Sequence, residues 1–149
     1  MCDYCDCRSI PLIDALGHDH EHLERLGGEL LAAIGAGDLG SARNVFDRLA
    51  ALLARHTQIE ETALFLALAA ASDGSDVRSL LDDHEAIDHA LITLADADDD
   101  GMAAGAPSLL ARLHTHIVRE EYDVFPAVRL LIPAVAWDEI HERAAACPA

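Results

Sequence analysis

The stretch HTQIEETALF, His56 to Phe65, returns sixty residues later as HIVREEYDVF, His116 to Phe125. Each copy opens with a histidine, places paired glutamates four and five residues on, and closes with a phenylalanine. Four residues are about one helical turn, so histidine and first glutamate share a face if the chain is helical here.

Outward from these two stretches, apolar residues recur every three or four positions along four segments. The first stripe is Ile13, Leu16, His20, Leu23, Gly27, Leu30 and Ile34, and the second is Leu49, Leu53, His56, Glu60, Ala63 and Ala67. The third is Val77, Leu80, His84, Ile87, Leu91 and Leu94, and the fourth is Leu109, Leu113, His116, Glu120 and Val124. GAGDLGS separates the first two and offers Asp38 and Ser41 as caps, and SDGSD ends the second. The acidic, glycine-bearing DADDDGMAAGAPS places the start of the fourth near Pro107 or Ser108, and Pro126 is expected to break it. Beyond Pro133 a short helix carries Trp137, Ile140 and Arg143. No alternating strand pattern competes, so the expected fold class is all-α. Residues 10–132 form an up-down-up-down four-helix bundle, after a cysteine-bearing tail at 1–9 and before a terminal helix and tail at 133–149.

The composition narrows the function. A length of 149 residues suits one domain with a proper core. No apolar run approaches the roughly 20 residues that span a bilayer. The N-terminus, MCDYCDCRSIPLI, lacks the basic and apolar regions of a secretion signal, so the expectation is a soluble, cytoplasmic protein. A formal charge of −17, with ten arginines and no lysine, leaves no basic surface for nucleic acid or anionic membranes. Cys2, Cys5 and Cys7 fall close together and read as a second metal or redox site in a reducing compartment, with Cys147 or a histidine as a fourth ligand. The alternative is a flexible terminus with no fixed ligand.

The decisive feature is polar residues inside apolar stripes. A single histidine on such a face is usually a core residue with satisfied hydrogen bonds. Four, joined by two carboxylates, are hard to satisfy among themselves, because each unpaired buried charge costs several kcal/mol or about that. A metal ion satisfies them, and imidazole with carboxylate suits iron or manganese. The expected ligands are His20, His56, Glu60, His84, His116 and Glu120. The helical wheel turns His18 and His22 about 200° from His20, and His114 likewise from His116, so these face away. Glu61 and Glu121 are turned about 100° from their partners and serve as outer or surface charges. Glu24, one turn after His20, is a further candidate ligand. Ferritin-like carboxylate sites place a glutamate three residues before a histidine, and no histidine here has one.

One histidine, then His-x-x-x-Glu, then one histidine, then His-x-x-x-Glu, resembles the hemerythrin or HHE cation-binding family. The resemblance runs from IPLIDALGHDHEHL through RHTQIEETALF and LLDDHEAIDHAL to HTHIVREEYDVFP, and MCDYCDC resembles the start of a bacterial single-domain subgroup. It implies two non-haem iron ions bridged by the carboxylates and an oxo or hydroxo group, with manganese or zinc as other occupants. It also implies binding or sensing of O2, peroxide or nitric oxide. A peroxide-decomposing or oxidase-type enzyme, with Tyr4, Tyr122 or the cysteines relaying electrons, and a storage or structural metal bundle are the alternatives. Oxygen-carrying members supply two histidines one turn apart from the third helix. Here Asp88 stands one turn after His84, with His89 one step further. Asp88 as ligand would favour the ferric state, His89 would need a bulged helix, and if neither binds, one iron keeps an open position.

Overall fold

The computed structural model describes residues 7–72 and 74–147. Its helices are α1 (Pro11–Gly35), α2 (Leu39–Ile59), α3 (Phe65–Ala71), α4 (Ser75–Ala95), α5 (Asp99–Arg119), α6 (Phe125–Leu131) and α7 (Trp137–Ala145). Short 3-10 turns lie at Cys7–Ser9 and Ala134–Ala136. α2 continues into α3, and α5 into α6, through single π-helical turns at Glu60–Leu64 and Glu120–Val124. The chain therefore builds four rods with short connections, α1 packing on α2 and α5, and α4 on α5. No strand occurs among the described residues, and none of the helices is long and apolar enough to cross a membrane.

Local chemistry sets the boundaries. Pro11 opens α1, where its missing N–H is no loss. Asp38 caps α2 by accepting from the Ser41 amide at 3.0 Å. Gly74, at φ 73°, turns the chain into α4 in a conformation that other residues resist.

Two expectations about the fourth rod need correction. It begins at Asp99, with Pro107 inside the helix. Asp98 accepts from the Gly101 amide at 2.8 Å, Asp99 and Asp100 suit the positive end of the helix dipole, and Met102 and Ala106 are buried. The aspartates that look like loop are thus a cap and first turn. Nor does Pro126 break the rod. It falls in the first turn of α6, directly after the widened π turn, where its ring and missing N–H are accommodated.

The buried side chains form two separate apolar clusters. One holds Leu12, Ile13, Leu16, Phe65, Leu80, Phe125, Val128 and Ile140, so α7 closes that end of the bundle. The other holds Leu23, Leu30, Phe46, Leu49, Leu53, Ile87, Leu109 and Leu113. Between them lies a layer of buried polar residues: His20, His56, Glu60, His84, His116, Glu120 and Glu121.

Candidate metal centre

His20 comes from α1, His56 from α2, His84 from α4 and His116 from α5, each 3% exposed or less. Glu60 and Glu120 are fully buried at the starts of the two π turns. The π turns explain the length of the repeated motif. In a regular α-helix Phe65 would sit about 140° around from Glu60. In the π turn the Phe65 amide bonds the Glu60 carbonyl five residues back, and glutamate and phenylalanine both face the core. Phe125 and Glu120 are related in the same way.

The phenylalanines then wall the site. Phe125 stacks on His20 with ring centroids 5.5 Å apart, and Phe65 on His84 at 5.4 Å.

The Nε2 atoms of all four histidines point at the two carboxylates. His20 Nε2 lies 3.2 Å from Glu120 Oε2, and His56 Nε2 lies 3.3 Å from Glu60 Oε2. His84 Nε2 lies 3.5 Å from Glu60 Oε2, and His116 Nε2 lies 3.2 Å from Glu120 Oε1. The same nitrogens meet in pairs, His20 with His56 at 3.1 Å and His84 with His116 at 3.0 Å. None of the four oxygens of Glu60 and Glu120 has a hydrogen-bond partner. Buried carboxylate oxygens without partners are costly, and here Glu60 Oε2 and both oxygens of Glu120 face imidazole nitrogens.

Two overlapping donor sets result, His20, His56, Glu60 and Glu120 on one side and Glu60, His84, His116 and Glu120 on the other, each with its ligand atoms within 4.8 Å of one another. Each set could hold a metal ion, and the glutamates belong to both.

The outer nitrogens have carboxylates of their own. His20 Nδ1 donates to Glu121 Oε1 at 3.0 Å, and His84 Nδ1 donates to Glu61 Oε1 at 2.7 Å. A proton fixed on Nδ1 leaves the Nε2 lone pair free to bind a cation, the usual arrangement around metal-bound imidazole. Asp19 and Asp83 stand 3.7 Å and 3.9 Å from Nδ1 of His56 and His116, beyond direct hydrogen-bond distance.

The electrostatics of the residues alone point the same way. Burial opposes charge on His56, but the Glu60 carboxylate outweighs it and holds the pKa at about 10. Burial likewise opposes charge on His84, and Glu60 with Glu61 raises it to about 9. Glu60 is held below the usual carboxylate range, the neighbouring imidazoles overcoming its burial. Such a concentration of negative potential holds protons when nothing else is bound, and a cation would displace them.

Of the further candidates, Glu24 is exposed and accepts from His114 Nδ1 at 2.6 Å, so neither enters the donor sets. His18 is exposed and bonds the Asp14 carbonyl. Asp88 and His89 are both exposed on α4, and neither belongs to the donor sets. The inward face of α4 is set by Leu80, His84, Ile87 and Leu91, and its centre falls on the far side of His84 from Asp88. α4 is also a regular α-helix, without the bulge that His89 would need. Of the proposed cysteine site, Cys2 and Cys5 lie outside the described residues, and Cys7 opens the first 3-10 turn. Cys147 Sγ lies 3.2 Å from Thr62 Oγ1, outside both donor sets. Sequence reasoning missed Asp19 and Asp83. Their signal is a shared position, each directly preceding a lone-helix histidine in the chain.

Comparison with curated proteins and with solved structures returned no match. The model of the hemerythrin HHE cation binding domain matches residues 12–128. That span contains both donor sets and all but the outermost residues of the four rods. With a layer of buried histidines and glutamates assembled between two apolar clusters, this chain belongs to the hemerythrin HHE cation-binding family.

Proposed function

We propose that the protein is a non-haem di-iron protein that binds or senses O2 and related small reactive species such as peroxide and nitric oxide. The observation that carries this reading is the sharing of Glu60 and Glu120 between two donor sets, each completed by two imidazoles. Paired histidines with carboxylates and open positions are the donor type of non-haem iron, although manganese or zinc would also accept it. Two iron ions held there would supply redox chemistry and exchangeable positions for a small ligand.

The chain's own residues do the rest. The four Nε2 atoms and two carboxylates hold the ions, Glu61 and Glu121 keep the His84 and His20 protons on Nδ1, and Phe65 and Phe125 exclude water from one side. With Asp88 and His89 exposed on α4, neither adds a ligand to the half that holds His84 and His116, and the two donor sets are alike. The cytoplasm suits this role, since Cys2, Cys5 and Cys7 would stay reduced there.

A second reading, turnover of peroxide, draws support from a cleft of about 450 Å³ between α1 and α5. Tyr122 lines it together with His20 and Glu121, which offers a redox-active side chain beside the site.

The test is anaerobic reconstitution with Fe(II), followed by absorption spectra on adding O2, azide or nitric oxide. A visible charge-transfer band that responds to each ligand supports the proposal. A colourless, ligand-insensitive protein with bound zinc would point to a structural ion. Catalytic loss of added peroxide without loss of iron would favour the second reading.

A further inference from the structure

The two donor sets are alike in their ligands and unlike in what stands behind them. Behind His56 and His116 the arrangement is matched: Asp19 pairs with Arg55 at 3.0 Å, and Asp83 with Arg119 at 2.9 Å. Behind His20 and His84 it is not. Glu121 Oε1 accepts both from His20 Nδ1 and from the Arg8 guanidinium, at 3.0 and 3.1 Å, and its side chain is 8% exposed. Glu61, bonded to His84, is 41% exposed and has no arginine partner among the described residues.

Arg8 is itself held in place. Its guanidinium also meets Glu21 at 3.2 Å and Asp14 at 3.9 Å, and it lies directly over Gly17. A Cβ on Gly17 would fall 2.5 Å from Arg8 Cζ, so only glycine leaves the guanidinium room there. Glycine is a poor residue for a helix interior, and its place in α1 matches the seat of Arg8.

When His20 or His84 turns away to release a cation, its Nδ1–H must give up its carboxylate. Water reaches Glu61 and can take over that bond. Glu121 is covered, and Arg8 must move first. We infer that Arg8 is a positioning residue: by fixing Glu121 behind His20, it makes the cation position bounded by His20 and His56 slower to release its ion than the position bounded by His84 and His116. This rests on the two-cation reading above.

Two measurements test it. In the metal-free protein labelled with 15N-histidine, exchange of the His20 Nδ1 proton with water should be slower than that of His84. Arg8→Gln should speed the His20 proton about tenfold and leave His84 unchanged, and Arg8→Lys should restore part of the protection. Gly17→Ala, which displaces the guanidinium without removing its charge, should act as Arg8→Gln does. In protein loaded with Fe(II), release to a chelator should occur in two phases of one ion each, and Arg8→Gln should accelerate only the slow phase, about tenfold. Single-phase release from the unaltered protein, or equal acceleration of both phases, would overturn the inference. So would a His20 proton indifferent to Arg8→Gln. Failure to load two ions would overturn the two-cation reading and the release claim with it, while the proton-exchange comparison would still decide whether Arg8 fixes the His20 partner.

Discussion

The half of the site built from α1 and α2 and the half built from α4 and α5 agree where they meet in the buried polar layer and diverge behind it. Each half offers two imidazoles, and both halves draw on the same two glutamates. The phenylalanine walls are matched as well, 5.5 Å on one side and 5.4 Å on the other. Behind them, one outer glutamate is covered by Arg8 and the other is open to water. The difference teaches that the repeated motif places its glutamates alike in the two halves, while a residue outside the motif, Arg8, covers only one of the outer pair.

The largest effects should come from the shared residues. Glu60→Ala or Glu120→Ala removes a ligand from both halves at once, and metal analysis should find both ions lost. His20→Ala or His84→Ala removes a ligand from one half, and about one ion should remain. Loss of one ion in every case would mean that the carboxylates are not shared.

Removing the cations should also lower the melting temperature by about 10 °C or more, because six buried polar ligands are left to one another. The metal-free protein should then depend on pH in a definite direction. His56 and His84 are raised to about 10 and about 9 from an ordinary value of 6.5, so their pairing with the glutamates stabilises the fold fully below about pH 6.5. That stability is lost as the pH rises through the folded values, and the melting temperature should fall between about pH 7 and 10. The loaded protein binds neutral imidazole and should not follow this decline. A metal-free form that melts as high as the loaded one would restore the simpler picture of core histidines satisfied by their neighbours.

How much of this was legible in the sequence follows from helical geometry. The His-x-x-x-Glu step of His56 and Glu60, and of His116 and Glu120, survives because it lies within regular α-helix and its first π residue. Phe65 and Phe125 sit beyond the widened turns, so a wheel of constant pitch cannot place them beside the histidines. Glu121 is buried whereas Glu61, at the same position of an equivalent turn, is 41% exposed, because Arg8 covers Glu121. Asp88 looked like a ligand because one turn separates it from His84. The packing of Ile87 and Leu91 then rotated α4 so that only the histidine faces inward. Pairings such as Arg8 with Glu121, more than a hundred residues apart, have no local signal at all.

Smaller effects should separate the outer partners. Glu61→Gln and Glu121→Gln each keep a hydrogen-bond acceptor but remove its charge, and each should weaken cation binding by about 10- to 100-fold, measured by competition with a chelator. The residues that face outward should matter least. Replacing His18, His22 and His114 together by glutamine, or Asp88 and His89 by alanine, should leave the metal content and the spectrum unchanged. A spectral shift from either set would mean that the helical register derived for α1, α4 or α5 is wrong.

The most direct measurement is iron per chain after anaerobic reconstitution, followed by Mössbauer spectroscopy of the oxidised protein. The account predicts two irons per chain, magnetically coupled through groups that bridge them, and loss of both in Glu120→Ala. One uncoupled iron per chain, or two that survive Glu120→Ala, would contradict it.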